Sequence, residues 1–132
     1  MKRITSTAAA IALVLSNPVV STANGPMTLE FSWLGTTPCK TLSDNPSFKL
    51  RNLPNGTKRV HLALTEGARE MGGQTVDIPE GGDIPAGVLR TNSPCNPTYY
   101  RWTATAISAS GKVLGQAYQS RFFPTDEVLP TQ

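Results

Sequence analysis

Apolar and polar residues alternate over several short stretches of the chain, as they do in β-strands that bury one face. The stretch 59–64 is apolar at every second position, and the stretch 99–107 gives the clearest pattern, with aromatic residues and threonine. Neither a repeat nor an amphipathic helix is visible. About six to eight short strands are therefore predicted. Besides these two stretches, they include 29–33, 47–51, 74–78, 88–90 and 112–118.

Turn-forming residues separate the predicted strands. The segment 53–57 is a strong turn, because Pro54 presets φ and Asn55-Gly56 tolerates positive φ. The segment 66–87 is so rich in glycine and proline that it is predicted to be a long loop with at most one short strand. A loop of that length in a small domain is often functional, although a tolerated surface loop is the alternative. Short strands joined by turns predict an all-β fold, a small β-sandwich.

The composition supports this fold class. The chain has 132 residues and a mass of 14.1 kDa, and it contains 11 glycines and 11 prolines. That density of turn-forming residues argues against a helical bundle. Hydrophobic residues make up 39% of the chain, which is enough for a modest core, and the length allows a single domain.

The first residues have the order of a secretory signal peptide. Two basic residues precede an apolar stretch at 8–15, and small residues follow up to Ala23. The apolar stretch is too short for a permanent membrane span. An ordinary amphipathic helix is the alternative, but the stretch has no polar face. We therefore expect a cleaved signal peptide at 1–23 and a secreted or periplasmic protein.

The formal net charge of +3 comes largely from this leader. Of the 12 basic residues, Lys2 and Arg3 lie in the leader, which leaves ten basic residues against nine acidic ones. Binding to nucleic acid requires a strongly basic patch. The mature chain offers only short basic pairs, so nucleic acid is not an expected partner.

Two cysteines, Cys39 and Cys95, remain in the exported part of the chain. An even number of cysteines in an oxidising compartment predicts a disulfide. A metal site and a reactive thiol are the alternatives. A metal site lacks ligands, because the chain has one histidine and no pair of cysteines at ligand spacing.

The residues for a named catalytic chemistry are missing. A catalytic triad would depend on His61, the only histidine, which faces away from the apolar side of its predicted strand. The chain contains neither a Gly-x-Ser-x-Gly elbow nor a phosphate-binding Gly-x-x-x-x-Gly-Lys loop. The acidic residues of 66–87 are scattered, as solvated side chains usually are. No enzyme activity, cofactor or metal is predicted.

Three segments resemble motifs of the phosphatidylethanolamine-binding protein (PEBP) or Raf-kinase-inhibitor-like family. Residues 53–59 are similar to its Leu-Pro-x-Gly-Thr-Lys turn, and residues 93–97 to its Gly-Pro-Cys-Pro-Pro segment. Residues 100–107 are similar to the strand that follows that segment. The resemblance is to short, exported bacterial members and is collinear over about residues 29–124.

The resemblance implies a Greek-key β-sandwich at 24–124 with a small pocket for an anion or a phospholipid head group. The family's pocket residues are only partly present, because Met71 and Thr98 stand where the family has histidines. The paired aspartates of the family are also absent after the strand at 59–64. The positions that match, or that stand in the matching segments, are the predicted ligand-binding residues Gly72, Gly73, Ser93, Pro94, Asn96, Pro97 and Tyr100.

The resemblance thus leads us to expect an exported, non-catalytic binding protein whose pocket is altered or vestigial. Its ligand would be a small anion or a phospholipid head group. The alternative is a secreted interaction protein, an inhibitor or effector, that binds a protein partner through residues 66–87. A glycan-binding module would need a longer row of exposed aromatic residues. The polar residues 125–132 are expected to form a flexible tail.

Overall fold

The computed structural model describes residues 25–78 and 80–130, so the predicted signal peptide lies outside the described residues. The described chain is built from β-strands joined by turns, with one short 3-10 turn at Glu80–Gly82. None of the described residues belongs to a helix that is long and apolar enough to cross a membrane. The strands are β1 Thr28–Glu30, β2 Ser43–Asp44, β3 Phe48–Arg51, β4 Thr57–Glu66, β5 Arg69–Asp77, β6 Asp83–Ile84, β7 Arg90–Thr91, β8 Thr98–Ser108 and β9 Val113–Phe123.

The strands form a β-sandwich, which confirms the predicted all-β class. A four-stranded sheet has the order β5-β4-β8-β9, a three-stranded sheet has the order β1-β3-β6, and β2 pairs with β7. Every pairing is antiparallel. The two larger sheets meet through aromatic side chains. Phe48 of β3 lies edge-on against Trp102 of β8, with 4.8 Å between the ring centroids.

The core follows the alternation seen in the sequence. In β4, the apolar residues of every second position are buried, and β8 has the same pattern from Tyr100 onwards. Large and small side chains face each other across these two strands, since Leu62 lies opposite Ala104 and Val60 lies opposite Ala106. This pairing leaves room for the aromatic residues of the smaller sheet to pack into the interior.

The segment 66–87 is not the long loop that the sequence predicted, because it contains the nine-residue strand β5. Leu64 pairs with Gly72 and Thr65 pairs with Glu70, so that Met71 is an extra residue in a β-bulge. Gly72 and Gly73 were interpreted as breaks in regular structure, but here they belong to a strand that pairs with β4 along its length. Backbone pairing outweighs their low strand propensity.

The segment after β9 is anchored at its start, although a flexible tail was expected at 125–132. The Phe122 amide donates to the Glu127 carbonyl, and the Asp126 amide donates to the Phe122 carbonyl, both at 2.7 Å. The Leu129 amide donates to the Ser120 carbonyl at 2.9 Å. Backbone hydrogen bonds therefore hold residues 126–129 against β9, which the polar composition of this segment does not reveal.

Candidate functional site

The predicted disulfide between Cys39 and Cys95 is present, with a Cα–Cα distance of 4.4 Å. It connects the loop after β1 to the segment before β8. Backbone hydrogen bonds flank it, since the Cys39 amide donates to the Pro94 carbonyl and the Ser93 amide donates to the Lys40 carbonyl, each at 2.9 Å. These bonds join two segments that are far apart in the sequence into one rigid corner of the sandwich.

The Tyr100 hydroxyl is fully engaged by this corner. It donates to the Asn96 carbonyl at 2.8 Å. It also accepts from the amides of Cys95 and Asn96 at 3.2 and 3.1 Å. The Tyr100 side chain is buried between Trp33 and Phe123. In the described structure, this predicted ligand-binding residue holds the disulfide segment in place.

Ser93 and Pro94 are also part of the corner. The Ser93 hydroxyl accepts from the Lys40 amide at 2.7 Å and lies 3.2 Å from the Lys40 carbonyl, to which it donates. Pro94 is completely buried. Asn96 and Pro97, the next two predicted residues, are exposed at the surface.

Gly72 and Gly73 lie in β5, where close contacts explain the absence of side chains. A Cβ on Gly72, whose φ is 131°, would lie 2.9 Å from Cγ2 of Thr91. A Cβ on Gly73 would lie 2.9 Å from the Leu62 carbonyl oxygen. The neighbouring Met71 is buried in the core.

Two of the predicted residues, Ser93 and Pro94, line a small, partly open cavity, which we call the inner cavity. Its volume is about 10 Å³, which is close to the space that a single water molecule needs. Gly72, Gly73, Asn96, Pro97 and Tyr100 do not line it. The structure therefore brings together only part of the predicted site, in a space far smaller than a phospholipid head group.

Trp102 also lines the inner cavity, and its indole nitrogen has no hydrogen-bond partner. It is the one buried side-chain nitrogen or oxygen of the described residues that lacks a partner. The Trp102 side chain is fully buried. An indole N–H can only donate, and an unmatched buried donor is unfavourable, so an acceptor at this nitrogen would stabilise the structure.

An open concavity of about 500 Å³ lies next to the inner cavity, and we call it the outer depression. The two spaces share Thr36, Ser43, Asp44 and Pro46, so the inner cavity adjoins its floor. The walls are mostly polar and come from one stretch of chain, residues 32–47, with Ala86. The space is large enough for a small molecule.

The charges around the outer depression favour an anion. Lys40 lines it, and among the described residues Lys40 forms no ion pair. The acidic wall residue Asp44 is paired with Arg90, with 3.2 Å between Oδ1 and Nε. One positive charge is therefore left unmatched at a site that also carries serine and threonine hydroxyls.

Sequence reasoning missed the outer depression. The available signal was the polar run around Cys39, which contains Thr36, Lys40 and Ser43. Such a run is typical of any exposed loop, so it does not mark a site. The unpaired state of the Trp102 nitrogen has no sequence signal at all, because it depends on which side chains surround the ring.

The single histidine of the chain lies away from both spaces. His61 lies on the outer face of the four-stranded sheet, where its Nδ1 is 2.9 Å from the hydroxyl oxygen of Thr75. No group of three or more metal-ligating side chains occurs in this part of the chain.

Comparison with known proteins returned no match, whether to protein-family models, to curated proteins or to solved structures.

Proposed function

We propose that the chain is an exported, non-catalytic binding protein of the PEBP type, in which the head-group pocket has been altered into a small-anion site. The family motifs at 53–59, 93–97 and 100–107 support the assignment. The observation that carries the function is the unpaired indole N–H of Trp102 beside the inner cavity, next to an open depression.

An oxygen atom of the ligand would occupy the inner cavity and accept the hydrogen bond from Trp102. The rest of the ligand would lie in the outer depression, where the Lys40 ammonium balances its charge. Hydrogen bonds in which one partner is ionised are about twice as strong as neutral ones. A phosphate or a phosphomonoester supplies both the small oxygen and the negative charge.

The alteration has a physical reason in the residues that stand at the pocket positions implied by the resemblance. The hydroxyls of Ser93 and Tyr100 are saturated by the backbone of the disulfide corner. Met71 replaces a polar histidine by a buried apolar side chain. None of these three side chains offers a free polar group to a head group, so in this proposal the ligand approaches from the side of Lys40.

The two tryptophans make a direct test possible by nuclear magnetic resonance. The chain has two indole N–H groups, and that of Trp33 already donates to the Arg121 carbonyl at 3.1 Å. We expect the Trp102 indole resonance to shift when inorganic phosphate or phosphoethanolamine is added, while the Trp33 resonance stays in place. The protein should be ¹⁵N-labelled and purified from its export compartment.

Two lysine variants supply the matched control. We expect Lys40→Met to weaken phosphate binding roughly tenfold, because the unmatched charge is lost. Lys112→Met removes an equal charge from the exposed turn between β8 and β9 and should leave the affinity unchanged. Equal effects of the two variants, or no movement of the Trp102 resonance, would contradict an anion site in the outer depression.

A further inference from the structure

Strand β5 forms one edge of the four-stranded sheet. It pairs with β4 on one side, and no strand of the described residues lies on its other side. One backbone hydrogen bond reaches that open side, from the Asn92 amide to the Met71 carbonyl at 3.2 Å. The stretch 73–77, beyond the bulge, therefore presents a regular strand edge.

The open stretch has little of the usual protection of edge strands. Natural edges carry charged side chains, lysine above all, or proline or a bulge that prevents pairing with another chain. The stretch 73–77 contains neither lysine nor proline, its one charged residue is Asp77 at its end, and the bulge at Met71 precedes it. All of its residues except Val76 are exposed. An edge of this kind accepts a further strand by backbone hydrogen bonding.

We propose that β5 pairs antiparallel with β5 of a second copy of this chain, with Thr75 on the two-fold axis. In this register Thr75 faces Thr75, Gly73 faces Asp77, and Gln74 faces Val76. No like charges oppose each other, and a threonine pair is favourable across strands. The same surface is used by both copies, as two-fold symmetry requires.

Neighbouring registers are less suitable. A register centred on Gly73 would use Met71, whose carbonyl already accepts from Asn92. A register centred on Asp77 would place two carboxylates opposite each other, which is unfavourable. Such a register would also set Thr75 opposite residue 79, a proline, which has no amide hydrogen to donate. The register centred on Thr75 thus pairs every residue of the stretch 73–77.

The dimer is weak, because each copy contributes only a short edge. Stable interfaces usually bury more than about 1,000 Å², which a strand of this length does not reach. A dissociation constant roughly in the micromolar range or weaker follows. Pairing gives the segment 66–87 a definite interaction role, and it is independent of the anion site, which lies in residues 32–47.

Analytical ultracentrifugation tests the dimer. We expect the protein to change from monomer to dimer as its concentration rises from the micromolar to the millimolar range. Thr75→Lys should weaken the dimer roughly fivefold or more, since it places two ammonium groups opposite each other. Thr75→Asp should weaken it likewise. An equimolar mixture of the two variants should restore the dimer, because lysine then faces aspartate.

The control is Gln116→Lys, which adds the same charge at an exposed position of β9, the opposite edge of the sheet. It should leave the dimer unchanged. Circular dichroism shows whether each variant is folded. The Trp102 titration with phosphate is repeated on each variant, so that failure of the dimer can be distinguished from failure of the anion site. A monomer at every concentration would overturn the proposal. A dimer that Thr75→Lys leaves unchanged or strengthens would overturn it as well.

Discussion

Two aromatic residues of β8, Tyr100 and Trp102, are both fully buried and both carry one polar group. The Tyr100 hydroxyl has three partners in the disulfide segment, whereas the Trp102 nitrogen has none. A buried donor without a partner costs free energy, while a saturated hydroxyl stabilises its surroundings. The two side chains therefore have different roles, one in holding the fold and one in the proposed binding of an oxygen atom.

Tyr100→Phe tests the structural role at this scale. Removal of the hydroxyl leaves the amides of Cys95 and Asn96 without their acceptor. We expect the free energy of unfolding to fall by about 1–3 kcal/mol, as measured by urea denaturation. Tyr99→Phe is the control, because the Tyr99 hydroxyl makes only an exposed contact of 3.5 Å with Glu127. Equal losses for the two variants would contradict the assigned role.

The turn between β5 and β6 shows how an element depends on the absence of a side chain. Gly81 and Gly82 have nearly the same positive φ, 83° and 79°. A Cβ on Gly81 would meet open space, whereas a Cβ on Gly82 would lie 2.5 Å from the Leu50 carbonyl oxygen. The turn thus approaches β3 so closely at Gly82 that it brings β6 into register beside that strand.

Alanine substitutions separate the strain of a positive φ from the close approach to β3 in this turn. Gly81→Ala should cost about 1 kcal/mol, which is the strain of a left-handed residue. Gly82→Ala should cost about 2–4 kcal/mol, because the same strain is combined with a collision against the backbone of β3. Thermal or urea unfolding of both variants measures the difference. Similar losses would show that the close approach to Leu50 does not matter for stability.

At the scale of the whole molecule, the disulfide is the covalent cross-link between two distant segments of the described chain. It joins residues separated by 56 positions and fastens the loop that carries Lys40 to the segment before β8. Closing a loop of this length restricts the unfolded chain more than the folded one. The corner therefore stabilises the sandwich and the wall of the outer depression together.

Replacement of both cysteines by alanine tests this contribution. The double variant Cys39→Ala/Cys95→Ala should lose about 4 kcal/mol of unfolding free energy relative to the oxidised protein. Urea denaturation with and without a reducing agent provides the measurement. The reducing agent should destabilise the natural chain and leave the double variant unchanged. A loss below about 1 kcal/mol would refute a major role for the disulfide.

Much of the fold was predictable from particular residues. The alternation at 59–64 and 99–107 placed Leu62 and Trp102 on buried faces, and the structure agrees. The cysteine count predicted the disulfide, which is confirmed. Strand β5 was predicted only in its second half, within the stretch 74–78. Its first half was missed because glycine is unfavourable in isolated strands, and the pairing partner that compensates for it lies elsewhere in the sequence.

The candidate site was much less predictable. Motif positions led to Ser93 and Pro94, which do line the inner cavity, and to Tyr100, whose hydroxyl faces the disulfide segment instead. The sequence pattern does not single out Lys40, because lysine is common in polar loops. Its relevance comes from the lack of an ion-pair partner among the described residues and from its position on the wall of the outer depression.

The sequence by itself determined the all-β class, the buried faces of the long strands and the cysteine pair. These properties depend on local periodicity and on the chemistry of single residue types. The tertiary structure alone decided that β5 is an open edge, that the inner cavity is only large enough for about one water molecule, and that the Trp102 nitrogen lacks a partner. Each of these depends on which distant segments meet in space, and a residue pattern along one strand contains no record of that.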